Sequence, residues 1–450
     1  MQSYFGHIFL PKENDFQKIE GVRLFMDGDA FWIEASIDMF GNEQYNLIRG
    51  VFTGLGYVTL IECNTKNTSS GAGGCECKLS VNYILCGIQI NNENDLNFSS
   101  LSVIMPSLKK WINKTVFKGY LIIDEKMSIE YPDTINFGEF EKFSLEAHFG
   151  LNQNHDNEKT IVLKDYITLK IKSINSNLSL WEFLETYRKF KKFLVFINVF
   201  DKNNDSFTLF ENNIKYQNQD TPIQMKFYMS SYNFRNAGLD DIKTPKFDDL
   251  EMNLQDILQK WYGTSDFSDS INLILEKYYQ TGLSRETYFL NSCFAIEIYH
   301  RRFKKNQRLP KAVFKKIKDG IISKLDTPDE IKLFEDKLAF ANEPSFKERL
   351  ESLKEDFQII LPLTIDMDSY IKQIVNTRNN IVHRSSSKNT LSGLDIYYAS
   401  VHLEALTKLC IYRELGFSQL HILKMFVHTR EQIDGMHKLN KRLQTGINKN

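Results

Sequence analysis

The chain has 450 residues, 42% of them hydrophobic and 13% aromatic. Single cores stop growing at roughly 250 to 300 residues, so two or more domains are expected. No apolar segment approaches the ~20 uncharged residues of a membrane span, and "MQSYFGHIFLPKEND" lacks the basic start and long apolar core of a signal peptide. The sequence therefore argues against a membrane partner and for a soluble, cytoplasmic protein. The net charge of -1 hides an asymmetry: residues 251–450 carry 30 Lys and Arg against 25 Asp and Glu, a net of +5, leaving 26 against 32, or -6, for residues 1–250. The C-terminal half is the better match for a polyanion.

In chain order, residues 1–175 alternate apolar and polar residues in short runs such as "AFWIEASIDMFG", "GYVTLIEC" and "KTIVLKDYITLKIKS", broken by Gly, Asn and Asp. Period-two patterning with regular turn residues predicts an antiparallel, β-rich domain. "LSLWEFLETYRKF" has helical periodicity and opens a mixed α/β connecting segment, 176–248. From 249 to 450 the apolar spacing becomes i, i+3, i+4, i+7, and the expected fold class is α+β: a β-rich half followed by an all-α bundle. Thr327, Pro328 and Glu330 form a capping box, Ser345 and Glu348 repeat it, and Gly416 closes the last long helix.

Six cysteines without regular spacing suit a reducing compartment. Cys63, Cys75, Cys77 and Cys86 are the metal candidates, as four thiolates that could hold a structural zinc. Cys-x-Cys is tighter than a usual knuckle, and the alternative places Cys63 and Cys86 in a strand core with "CEC" in a loop. "SSGAGG" has no Lys-Ser/Thr after it, so it lacks the residues of a phosphate loop.

"VNTRNNIVHRSSSK" (375–388) ends a helix, and no acid occurs from Ser369 to Leu394. Asn379 and His383 are i, i+4 neighbours; Arg378 lies about 140° from His383 around the axis, close enough for a long guanidinium to sweep towards the imidazole. Basic groups at a helix end also satisfy orphan carbonyls and the helix dipole, the plainer account. Ile374, Val375, Ile381 and Val382 imply a partly buried end, where an unpaired Arg is costly and Arg384 and Lys388 extend a phosphate-friendly field. A second basic segment, "RRFKKNQRLPKAVFKKIK", carries nine Lys and Arg and no acid. Its Arg301, Arg302, Lys304 and Lys305 are candidate RNA contacts, with a solvated helix end as the alternative. Glu297 is expected to pair internally with an Arg such as Arg378, His300 to sit at a boundary, and His402 to be a satisfied core histidine.

R-N-x3-H closing an apolar helix in an all-helical domain resembles the R-x4-6-H signature of HEPN ribonucleases. "QKWYGTSDFSDSINLILEKYYQTGLSRETYFLNSCFAIEIYHRR" is similar to the opening helices of the HEPN domain in ApeA-type antiphage proteins, and "GHIFLP", "GYVTLIEC" and "PSLKKWIN" to the β-rich domain that precedes it there. The resemblance implies an endoribonuclease that needs no catalytic cofactor, with Arg378, Asn379 and His383 as its catalytic residues. It also implies a homodimer that pairs two motifs in one cleft, RNA (tRNA or mRNA) as substrate, and a β-rich half that senses a phage-derived trigger or holds the nuclease inactive. Two other readings stay open: a non-catalytic HEPN-like scaffold binding RNA or nucleotides, and a zinc-stabilised adaptor.

Overall fold

The computed structural model describes residues 1–12, 15–35, 44–71, 74–119, 128–157, 160–200, 204–211, 223–230, 244–280, 282–361, 365–384 and 389–426. The chain divides into two compact units, one of residues 1–194 and 199–233, the other of 195–198 and 234–450.

The first unit is built on six long strands: β1 (Gln2–Lys12), β2 (Asp15–Asp27), β3 (Ala30–Ala35), β4 (Gln44–Phe52), β5 (Gly56–Gly71) and β6 (Gly74–Cys86). All pair antiparallel in the order β6-β3-β2-β1-β4-β5, and β5 pairs back onto β6, closing a barrel. Closure follows from the alternation: Ile8 and Leu10, Val22 and Leu24, Ile33, Ile48, Val58 and Leu60, and Leu79 and Val81 point to one shared interior.

Strand β6 belongs to two layers. Residues 77–81 pair with β3, whereas Tyr83–Cys86 pair with β16 (Ile223–Met229), so one strand leaves the barrel to start an open sheet. That sheet continues through β15 (Ser206–Glu211), β8 (Ser100–Ile104), β13 (Thr160–Ser173), β12 (Phe143–Asn157) and β11 (Ile135–Glu139). Two short ladders complete the set, β7 (Asn97–Phe98) with β14 (Leu178–Ser179) and β9 (Phe117–Lys118) with β10 (Ser128–Ile129). Helix α1 (Pro106–Ile112) follows β8, and α2 (Leu180–Phe196) sets Phe190 against Phe137, ring centroids 5.5 Å apart. The 176–248 segment thus supplies α2 and two central strands of the sheet, rather than a simple connection. Its strands are short, and their partners come from far back in the chain, which period-two patterning cannot reveal.

The second unit is helical: α3 (Phe247–Leu250), α4 (Leu254–Gly263), α5 (Ser268–Tyr279), α6 (Arg285–Phe303), α7 (Lys311–Ile322), α8 (Pro328–Leu338), α9 (Phe346–Ser352), α10 (Lys354–Ile360), α11 (Met367–His383) and α12 (Leu394–Leu415). Both capping boxes form as expected, and Gly416 closes α12 in the left-handed region at φ 94°. Helix α12 is buried around nearly its whole circumference, so its polar residues must find partners inside. Glu404 accepts from Tyr288 Oη at 2.5 Å and pairs with Lys277 at 2.8 Å and Lys408 at 3.2 Å; Lys408 also donates to Asn198 Oδ1 at 2.9 Å. His402 lies in the core as expected, its Nδ1 2.6 Å from the Tyr370 phenol, which burial keeps protonated, but among the described residues its buried Nε2 has no hydrogen-bond partner, so only half of the imidazole is satisfied.

The barrel makes one sharp prediction. Gly6 lies where β1 pairs with β4, and a Cβ there would overlap the Val51 carbonyl oxygen. Gly6→Ala should destabilise the β-rich unit by roughly 1–3 kcal/mol, read as a lower urea midpoint with unchanged slope.

Candidate functional site

Helix α11 presents Tyr370, Ile371, Ile374 and Thr377 inward, and it is capped by Arg384, whose φ of 48° is left-handed and rarely adopted by arginine. From this helix the Arg378 guanidinium reaches across to α6, where Nη2 lies 3.5 Å from Glu297 Oε2. Its ring neighbours are Phe294 and Phe346, 5.9 and 5.6 Å from Cζ, and Nη1 donates to Asn379 Oδ1 at 3.4 Å. Among the described residues Arg378 Nε has no hydrogen-bond partner. Glu297 is thus the internal partner expected for Arg378, and Arg378 and Asn379 come together.

His383 does not join them. It is the last residue of α11, exposed, and without a hydrogen bond or ion pair among the described residues. One expectation is met here and one corrected. The helix end is partly buried, as its apolar sequence implied: Ile374 is buried, Val375 and Ile381 are half-buried, and Val382 is 43% exposed. The guanidinium does not sweep towards the imidazole, because helical side chains lean towards the N-terminus and a half-buried carboxylate on α6 attracts it. Arg384 is exposed and Lys388 lies outside the described residues.

The Glu297 carboxylate is shared. Its Oε1 lies 3.6 Å from Arg301, which is also 3.3 Å from Glu343; Glu343 in turn holds Arg349 at 3.1 Å. Arg349, 1% exposed, sits where "SFKERL" would place a core residue, beside Phe346 and Leu350 on the inner face of α9. Neither Glu343 nor Arg349 was singled out from sequence; the signal is an Arg at i+3 of an otherwise apolar face. Arg349 Nη1 donates to His300 Nδ1 at 3.1 Å, so Nε2 carries the proton and faces Ser352 Oγ at 2.9 Å, whose hydroxyl donates to the Arg349 carbonyl at 2.7 Å. His300 is therefore a buried, locked residue and not the boundary residue expected. Burial, with Arg349 and Lys304 beside it, lowers its pKa to about 4.

The basic segment finds in space the acids it lacks in sequence. Arg302 pairs with Asp269 at 2.5 Å, Lys304 with Glu414 at 3.7 Å, and Arg308 with Glu348, while Lys305 lines a pocket of about 390 Å³ together with His300, Ser352 and Asp356. The expected RNA contacts Arg301, Arg302 and Lys304 are thus already engaged.

The cysteines are spread along the barrel. Cys63 faces Val81 across β5 and β6, and Cys77 faces Thr68, so Cys77 and Cys86 lie four and five residues along β6 from the level of Cys63. At about 3.3 Å per residue that is more than 13 Å, whereas the sulfurs of one zinc site lie about 4 Å apart. Burial raises the thiol pKa values, that of Cys86 to about 11. The Cys75 side chain is outside the described residues, and among the described residues no group of three or more His, Cys, Asp or Glu is placed to hold a metal.

A family model, ApeA N-terminal domain 1, matches residues 3–261, more than half of the chain. The chain belongs to the ApeA family. A second model, Apea-like HEPN, matches residues 290–420, which run from within α6 through α12 and include the Glu297–Arg378 pair and His383. The ApeA-family chain is accordingly a HEPN protein of the ribonuclease-associated, antiphage type. No curated protein and no solved structure matches it. Among the described residues no helix is long and apolar enough to cross a membrane.

The His300 lock predicts a pH dependence. Its folded pKa lies below the unfolded value, so the unfolded state binds the extra proton and stability falls as pH drops below about 6.5. Urea unfolding should lose roughly 2 kcal/mol between pH 7 and 5 from this residue, and His300→Gln should flatten that slope whatever its effect at pH 7.

Proposed function

We propose that this protein is an endoribonuclease effector of antiphage defence, acting inside the cell as a homodimer on tRNA or mRNA. The observation that carries the reading is the Arg378 guanidinium, fixed in direction by Glu297 and two aromatic rings yet held only by long contacts of 3.5 and 3.4 Å. Such a group is oriented but not saturated, and its fork suits a phosphate.

The chemistry needs three things: a base for the ribose 2'-hydroxyl, an acid for the leaving 5'-oxygen, and a cation for the charge gathered on phosphorus. His383 takes the 2'-proton, the new O–P bond closes a 2',3'-cyclic phosphate, and the partner's His383 protonates the departing 5'-oxygen. Arg378 holds the non-bridging oxygens, and Asn379 orients the phosphate through its amide. Imidazole serves either role at neutral pH, so no metal step is required by this scheme. The exposure of His383 supports the reading, because an acid–base group that acts on a polymer from a second subunit must face outward. The β-rich unit would then sense a phage-derived trigger.

Wild type and His383→Ala are to be incubated with total RNA and with tRNA in EDTA, and the ends mapped. Wild type should leave 2',3'-cyclic phosphate and 5'-hydroxyl ends, and the variant should be slower by about 100-fold or more. The same pair is to be compared in infected cells. Protection by His383→Ala equal to wild type would replace this reading with that of an RNA-binding scaffold.

A further inference from the structure

Helices α7 and α8 differ from the rest of the bundle. Neither contains a buried residue, and the stretch from Leu309 to Phe340 exposes six large apolar side chains: Leu309, Val313, Ile317, Leu333, Phe334 and Phe340, the last at 70%. The hairpin is nevertheless well anchored at its base. Arg308 N donates to the Asn342 carbonyl at 2.8 Å, Leu309 N to Asn342 Oδ1 at 2.9 Å, and Asn342 Nδ2 back to the Leu309 carbonyl at 2.9 Å. This is a defined element with its outer face left open.

Its charges are divided between the helices. Helix α7 carries Lys311, Lys315, Lys316 and Lys318 against Asp319; α8 carries Asp329, Glu330, Glu335 and Asp336 against Lys332 and Lys337. Among the described residues none of these side chains makes an ion pair, and only Glu330 makes a hydrogen bond, in its own capping box. A basic helix and an acidic helix side by side, flanked by exposed apolar groups, complement a copy of themselves turned by a two-fold axis, which sets α7 against α8 and α8 against α7.

We propose that the α7–α8 hairpin is a self-association surface whose partner is a second copy of this chain. Opposite charges meet across the axis, and the apolar side chains leave water between them. An RNA strand fits less well, because it would meet the acidic α8 along with the basic α7. The proposal does not depend on any role of His383, since it is read without RNA.

The test is a charge swap followed by sedimentation of the full chain. Lys315→Glu with Lys316→Glu makes both helices acidic, and Glu335→Lys with Asp336→Lys makes both basic. Each double variant alone should associate at least tenfold more weakly than wild type, and an equimolar mixture of the two should recover association, which a folding defect would not allow. Unchanged self-association in the separate variants, a monomeric wild type, or a mixture that fails to recover would overturn the proposal. Weaker retention of a labelled single-stranded RNA by the Lys→Glu pair, with sedimentation unchanged, would make the hairpin an RNA contact instead.

Discussion

One carboxylate organises the helical unit's candidate site. Glu297 stands on α6 at the level where α9 and α11 pack, and it holds Arg378 on one side and Arg301 on the other. From Arg301 the same alternation of charge runs through Glu343 to Arg349 and ends on the neutral imidazole of His300. As a source of stability the Glu297–Arg378 pair is minor: its side chains are 18% and 24% exposed and the contact is long, so pairs of this kind contribute up to about 1 kcal/mol. Its consequence is geometric. It sets the direction of the guanidinium while leaving hydrogen-bonding capacity unspent, which is the state a phosphate-binding arginine needs before its ligand arrives.

The deeper end of the network has the opposite character. Arg349 is almost wholly buried, and such a charge is expensive unless it is paired and hydrogen-bonded. Glu343 supplies the counter-charge and His300 the acceptor, which fixes the histidine tautomer and excludes it from acid–base chemistry. One histidine three residues from Glu297 is thus locked for structure, while His383, the last residue of α11, is exposed.

Much of this was legible in the sequence because it is local. Thr327 and Ser345 announce their helices through the acid three residues on, Gly416 marks a left-handed stop, and alternation along β1 to β6 gives the β-rich half. What was not legible depends on partners distant in the chain. β15 and β16 enter the sheet beside strands more than a hundred residues earlier, and the acid-free run 301–308 meets Asp269, Glu343, Glu348 and Glu414 only in space. The cysteines mislead for a related reason: closeness in sequence on paired strands is not closeness in register. In sequence Arg378, Asn379 and His383 read as one trio with Glu297 as an internal partner for an Arg such as Arg378; the Glu297 contact forms, and the direction of the Arg378 side chain is set by α6, not by α11.

The central claim is that Arg378 is held for use on a phosphate and not for the fold. Arg378→Lys keeps the charge near Glu297 and removes the planar fork, so RNA cleavage and urea unfolding should be measured on the same preparation. The account predicts cleavage reduced by about 100-fold with stability within about 0.5 kcal/mol of wild type. Cleavage at the wild-type rate, or a loss of activity accompanied by a proportionate loss of stability, would contradict it.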